Sequence, residues 1–131
     1  MQLKSGSSRP IVLLVDDDAD TLEMYEIGLS GAGFHPVGTR DGASVGLQVD
    51  AIHADVVVID LQLHGTTGWN VMQSLKDHGG AKAIPVVLLT GHSSAEIDQQ
   101  AHDLGCAAVL TKPCTPDELG VVLRRVLTAS P

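Results

Sequence analysis

Aromatic, cysteine and basic residues are all scarce in this chain, and each scarcity excludes a class of protein. The 131 residues include one Trp, one Tyr, one Phe and two Cys. The 8 Lys and Arg residues stand against 16 Asp and Glu residues, giving a formal net charge of −8 at pH 7. Surfaces that bind nucleic acids or anionic membranes through charge are basic. We therefore expect no direct nucleic-acid binding and no membrane binding.

Long apolar runs are also missing. No run approaches the roughly 20 residues of a membrane helix, and the N-terminal sequence MQLKSGSSRP lacks the hydrophobic stretch of a secretory signal. Cys106 and Cys114 match neither a CxxC pair nor a zinc-binding pattern. We expect both to be free thiols in a reducing cytoplasm. The length suits one domain, and 44% hydrophobic residues are too many for a disordered chain.

Five short apolar runs alternate with segments that suit helices. The runs cover residues 11–15, 34–39, 56–59, 86–89 and 107–110, and the helices are predicted over 20–32, 43–51, 69–76, 94–104 and 115–127. Most of the runs are continuous, as in parallel strands covered on both faces. The pattern predicts an α/β fold: a doubly wound five-stranded parallel sheet in the flavodoxin-like order 2-1-3-4-5, with five helices. We expect residues 1–8 to be a flexible segment, 9–128 the domain, and 129–131 a tail.

The first two helices carry apolar residues that we expect to face the core. In the first helix these are Leu22, Tyr25, Ile27 and Leu29, and in the second they are Val45, Leu47, Val49 and Ile52. Gly31 and Gly33 are expected to end the first helix, because glycine favours the left-handed conformation that follows many helices.

Polar side chains follow the strands at the edge where parallel strands bind ligands. Asp16 and Asp17 follow the first run, Asp60 the third, Thr90 the fourth and Lys112 the fifth. Three carboxylates in one cleft repel one another by roughly 4 kcal/mol per pair at 4 Å and an effective dielectric near 20. Mg²⁺ prefers such oxygen ligands, and the lysine and hydroxyl suit phosphoryl oxygens. The pattern is typical of phosphoryl transfer.

Five motifs resemble the receiver domain of two-component response regulators. They are VLLVDDD (12–18), DG (41–42), DVVVIDLQLHGTTG (55–68), PVVLLTG (85–91) and GCAAVLTKP (105–113). The resemblance covers about residues 9–127. It implies that Asp60 accepts a phosphoryl group from a phosphohistidine on a sensor histidine kinase or phosphotransfer protein. The signal would then pass to a downstream protein partner through the face around the fourth helix, fifth strand and fifth helix. The implied catalysis is limited to the domain's own phosphorylation and dephosphorylation.

The resemblance also implies roles around Asp60. Asp17, Asp60 and the backbone carbonyl of Gln62 would hold Mg²⁺, with Asp16 acting largely through a metal-bound water. Thr90 and Lys112 would contact the phosphoryl group, with Thr90 shifting on phosphorylation. The Lys112–Pro113 peptide is expected to be cis.

Several positions depart from the receiver pattern. Val109 stands where the family often has an aromatic switch residue, and 63–65 read Leu-His-Gly where Met-Pro-Gly is common. Gln62 and His92 occupy positions that tune phosphoryl lifetime in the family. Whether the domain forms a homodimer stays open.

Two other functions remain open. One is a receiver-like binding module that works without phosphorylation, which Val109 and His64 favour. The other is a phosphatase of the haloacid dehalogenase type. That family needs Asp-x-Asp-x-Thr/Val, whereas Asp16-x-Asp18 is followed by Asp20, and no cap insertion is present.

Overall fold

The computed structural model describes residues 8–78 and 84–129. Its strands are β1 (Ile11–Val15), β2 (His35–Thr39), β3 (Val56–Asp60), β4 (Val86–Thr90) and β5 (Ala108–Thr111). Its helices are α1 (Ala19–Gly31), α2 (Val45–Ile52), α3 (Gly68–Asp77), α4 (Ala95–Leu104) and α5 (Pro116–Ala129), with a short 3₁₀ turn (Gly42–Ser44) before α2. The strands are parallel and lie in the order β2-β1-β3-β4-β5. The predicted doubly wound fold is confirmed.

The continuous apolar runs are explained by a core on each face of the sheet. In the central strand β3, Val57 and Ile59 pack on the face covered by α2, α3 and α4, while Val56 and Val58 pack on the face covered by α1 and α5. All four are buried. Burying a large aliphatic side chain stabilises a fold by about 1.5–3 kcal/mol, so these strands hold their carboxyl ends firmly in place.

Helix caps fix where the helices begin near that edge. The side chains of Asp18, Thr67 and Ser94 accept backbone N–H groups at the starts of α1, α3 and α4. Before α5, Thr115 and Glu118 exchange hydrogen bonds, since each side chain accepts from the other's backbone N–H, at 2.8 and 3.1 Å. These caps satisfy N–H groups that have no partner inside the helix.

Two residues expected in the core are exposed. Ile27 is 68% exposed and Leu47 is 67% exposed, so those two predictions are wrong. A helix turns about 100° per residue, which places Ile27 about 140° from Leu22 and Leu47 about 200° from Val45. The buried stripes on the same helices contain Leu22, Tyr25, Leu29, Val45 and Val49.

The end of α1 differs slightly from the prediction. Gly31 is the last residue of the helix, and Ala32 is its cap. Gly33 then takes a φ of +97°, the left-handed conformation that glycine adopts without strain. Of the two glycines, Gly33 therefore makes the turn out of the helix.

The remaining expectations concern termini, thiols and one peptide bond. The predicted flexible segment 1–8 lies outside the described residues except for Ser8, and of the predicted tail Ala129 belongs to α5. Cys106 and Cys114 are free, as predicted. The Lys112–Pro113 peptide is cis, also as predicted. Within the described ranges, no helix is both long enough and apolar enough to span a bilayer.

Candidate functional site

The register of the sheet brings the predicted site residues to one edge. Val15 pairs with Ile59, so Asp16 follows β1 at the level where Asp60 ends β3. Asp60 is paired with Leu89, and Thr90 ends β4 one residue later. The carboxylates of Asp16 and Asp60 belong to residues only 6% exposed. Two buried acids at one strand edge need a positive partner.

Lys112 is that partner. Its Nζ lies 2.6 Å from Asp60 Oδ2 and 3.9 Å from Asp16 Oδ2. The backbone N–H of Lys112 donates to the carbonyl of Thr90 at 2.8 Å, which ties the lysine to the end of β4. The lysine side chain is 33% exposed, so it lies at the solvent-facing border of the site. From there its ammonium group interacts with both carboxylates.

Each buried carboxylate also accepts a backbone amide two residues further along the chain. The Asp18 N–H donates to Asp16 Oδ1 at 2.9 Å, and the Gln62 N–H donates to Asp60 Oδ1 at 3.0 Å. Burial raises the pKa of Asp16, and the charge of Asp60 adds to the increase. The Asp18 amide and Lys112 oppose it. The higher pKa indicates that further positive charge would stabilise this edge.

Asp17 has a different environment from the other two acids. Its Oδ2 accepts from the backbone N–H of His64, and the His64 ring Nδ1 lies 3.1 Å away. Its backbone carbonyl accepts from Arg40 Nε at 2.8 Å. Among the described residues, no three His, Cys, Asp or Glu side chains form a ready metal-binding group. The structure therefore brings together Asp16, Asp60 and Lys112, and places the Asp17 carboxylate on the loop after β3.

The hydroxyl of Thr90 is engaged with the loop after β4. It donates to the His92 carbonyl at 2.9 Å and accepts from the His92 N–H at 3.3 Å. Thr90 is buried, whereas His92 is exposed. The Thr90 side chain thus links the inner end of β4 to the segment that leads into α4.

Val109 lies further along the sheet, opposite Leu88 in β4. It is half-buried and packs against the cluster on the face that α4 covers. A valine side chain is stiff about its first torsion, so any change here is a change of packing rather than the rotation of a ring.

Sequence reasoning gave no role to Arg40 and treated Tyr25 as an ordinary core residue. The Tyr25 hydroxyl donates to the Cys114 carbonyl at 2.7 Å, fastening α1 to the segment after the cis proline. Burial, with nearby negative groups, raises the pKa of Tyr25 to about 12. The one available signal was the hydroxyl itself, because a buried tyrosine oxygen needs a partner.

Comparisons with known proteins agree with this geometry. The family model described as "Response regulator receiver domain" matches residues 12–124. The chain is 31% identical over 116 residues to the Phosphate regulon transcriptional regulatory protein PhoB of Escherichia coli (strain K12), covering 88% of this chain and 51% of PhoB. It is 33% identical over 111 residues to the DNA-binding response regulator MtrA of Mycobacterium tuberculosis (strain CDC 1551 / Oshkosh), covering 85% and 47%. It spans about half the length of these relatives.

Solved structures show the same architecture along nearly the whole chain. Chemotaxis protein CheY4 of Vibrio cholerae superposes with a TM-score of 0.84 at 27% identity, covering 91% of this chain and 99% of CheY4. A putative response regulator from Chloroflexus aurantiacus J-10-fl gives 0.83 at 26% identity, covering 92% and 99%. Together with the site geometry, these matches establish that the chain belongs to the receiver domain family of two-component response regulators.

Proposed function

We propose that this receiver domain is a phosphorylation-dependent switch whose phospho-acceptor is Asp60. The observation that carries the proposal is the pairing of the buried Asp60 carboxylate with Lys112 Nζ at 2.6 Å, at the carboxyl edge of a parallel sheet. The Gln62 amide fixes the other oxygen of the same carboxylate. A carboxylate held at both oxygens is oriented for attack on phosphorus.

Mg²⁺ is the cofactor that the donor set favours. Asp16, Asp17, Asp60 and the Gln62 carbonyl would hold it, all through hard oxygen atoms, which Mg²⁺ prefers. The burial of Asp16 and Asp60 side by side supports the fit, because a nearby cation relieves the cost of burying two negative charges. When bound, Mg²⁺ supplies neutralisation of the charge on the transferred phosphoryl group.

The transfer is a displacement at phosphorus. An Asp60 carboxylate oxygen forms a bond to phosphorus, the bond from phosphorus to the donor histidine nitrogen breaks, and that imidazole keeps the electron pair. Lys112 then exchanges its contact with Asp60 for the phosphoryl oxygens, as a charge-assisted hydrogen bond favours.

Thr90 carries the change to the output face. Its hydroxyl now donates to the His92 carbonyl, and in the phosphorylated state it would donate to a phosphoryl oxygen. The segment before α4 loses one tether in that exchange, and Val109 repacks beneath α4. This shifts the conformational equilibrium of the face formed by α4, β5 and α5 toward the state that binds the downstream partner.

The partners follow from the receiver family. A sensor histidine kinase or phosphotransfer protein would supply the phosphoryl group, and a further protein would receive the signal. We propose that the domain works in the cytoplasm, where its two thiols stay reduced, and that it spans residues 9–128. Membership in the receiver family decides against the haloacid dehalogenase alternative.

Phosphorylation by a small donor tests the proposal. The protein is incubated with Mg²⁺ and acetyl phosphate, and intact mass is measured beside Asp60→Asn and an EDTA-treated sample. We expect one added phosphoryl group in the wild type and none in either control. No added group in the wild type, with acetyl phosphate or with phosphorylated kinases, would instead favour a binding module that works without phosphorylation.

A further inference from the structure

We propose that His64 is a positioning residue that holds the Asp17 carboxylate against the loop after β3 through Oδ2, so that a divalent cation that binds this oxygen competes with His64 for Asp17. This inference rests on the proposed function, in which Asp17 is a Mg²⁺ ligand. It makes cation binding and release of the loop a single exchange.

Two contacts from one residue hold the carboxylate. Asp17 Oδ2 accepts from the His64 backbone N–H, and His64 Nδ1 lies 3.1 Å from the same oxygen. The Asp17 side chain is 18% exposed, whereas that of His64 is 98% exposed. An exposed residue 47 positions further along the chain therefore holds the inner carboxylate, and both contacts are made to Oδ2, so a cation that takes this oxygen competes with His64.

The Asp17 side chain can move without the backbone around it. Its own carbonyl is fixed by Arg40 Nε at 2.8 Å. The following residue, Asp18, is fixed as the cap of α1 through Thr21. Because the backbone is held at Asp17 and at Asp18, the Asp17 carboxylate changes its partner by rotation of the side chain alone.

The loop that carries His64 is tied at its base and open at its tip. The Leu61 N–H donates to the Leu89 carbonyl at 2.9 Å, and Gln62 pairs with Thr67. At the tip, Gly65 has a φ of +78°, and a Cβ at this position would meet no heavy atom of the described residues within 4 Å. His64 can therefore leave Asp17 while the base of the loop stays in place.

The exchange predicts how substitutions change cation affinity. A contact that forms only in the cation-free state weakens apparent cation binding by the free energy that the contact contributes. Removing the contact should therefore make cation binding tighter by the same amount. His64→Ala removes the ring and keeps the N–H, and exposed pairs of this kind are worth about a twofold to threefold change. His64→Pro removes both the ring and the N–H, and losing a hydrogen bond to a charged group as well should bring the total to about thirtyfold.

Calorimetric Mg²⁺ titration of the whole chain measures these affinities directly. The series is wild type, His64→Ala, His64→Pro and the control His102→Ala, an exposed histidine on α4 outside the site. We expect Mg²⁺ to bind more tightly in His64→Ala than in wild type and most tightly in His64→Pro, with the control unchanged. Thermal unfolding without Mg²⁺ shows whether each variant is folded. In wild type, the amide resonance of His64 should shift with the same Mg²⁺ midpoint as calorimetry.

The outcomes separate this inference from the proposed function. The inference is overturned if His64→Ala binds Mg²⁺ with unchanged affinity and the His64 amide resonance of the wild type does not shift with Mg²⁺. This holds even if acetyl phosphate modifies Asp60 normally. A wild type that neither binds Mg²⁺ nor becomes phosphorylated overturns both. If His64→Pro does not fold, His64→Ala and the amide titration decide the question.

Discussion

Removing the charge of Lys112 should destabilise the fold through the two acids that it serves. Lys112→Met keeps the aliphatic stem and deletes the ammonium group, leaving Asp16 and Asp60 buried without a cation. At 2.6 Å and an effective dielectric near 20, the gross attraction between Lys112 and Asp60 is about 6 kcal/mol. Desolvation offsets much of this, and the lysine is 33% exposed. We therefore expect a loss of about 2 kcal/mol in the free energy of unfolding.

The pH dependence of that loss has a definite sign. The pKa of Asp16 is raised in the folded protein by burial. An acid with a raised pKa favours folding while it is protonated and loses that contribution as the pH rises through its folded pKa. The deficit of Lys112→Met should therefore be largest near pH 7 and shrink as the pH falls toward the ordinary range of aspartate, about 3.9.

Urea unfolding in metal-free buffer measures the effect. A double-mutant cycle with Asp60→Asn should give a coupling energy of about 1–2 kcal/mol, because Asp60→Asn removes one of the two acids that Lys112→Met leaves without a cation. Lys76→Met, at the exposed end of α3, is the matched control and should change stability by less than about 0.5 kcal/mol. A deficit as small as the control's, or one independent of pH, would refute the electrostatic account.

Three further predictions use other parts of the molecule. Because the pKa of Tyr25 rises to about 12 in the fold, stability should fall by about 2–3 kcal/mol between pH 10 and 12, and Tyr25→Phe should reduce that fall in alkaline urea titrations. Gln62→Ala and His92→Ala should change the half-life of the phosphorylated protein. Unchanged half-lives in both variants would show that these residues do not tune the phosphoryl lifetime. A Cβ on Gly68 would lie 2.7 Å from backbone, so Gly68→Ala should cost about 1–3 kcal/mol in urea unfolding. Gly91→Ala, with open space around it, should cost little.

The fold could be predicted because the signals for it are local and redundant. Continuous runs of β-branched residues mark strands buried on both faces, and β3 meets that description on both sides of the sheet. Strand order then places Asp16 and Asp60 side by side, since neighbouring parallel strands end at the same edge. The errors at Ile27 and Leu47 arose from grouping apolar residues by proximity in sequence rather than by helical angle.

The detail of the site depends on contacts between distant segments, which the sequence does not display. Asp16 and Asp17 are adjacent acids, yet one faces Lys112 and the other contacts His64 from another loop. Likewise, the Thr90 hydroxyl binds the carbonyl of His92, a contact set by the path of the chain after β4. Composition and spacing identify which groups meet at an edge, whereas side-chain partners follow from loop conformation.

The identity of the phosphorylated residue tests the central claim most directly. After reaction with Mg²⁺ and acetyl phosphate, borohydride reduction converts an aspartyl phosphate to the corresponding alcohol, which peptide mass spectrometry locates. We predict reduction at Asp60 alone, with Asp16 and Asp17 intact. Reduction at either of those residues, or none anywhere in a sample whose intact mass shows the added phosphoryl group, would contradict the assignment of Asp60 as the acceptor.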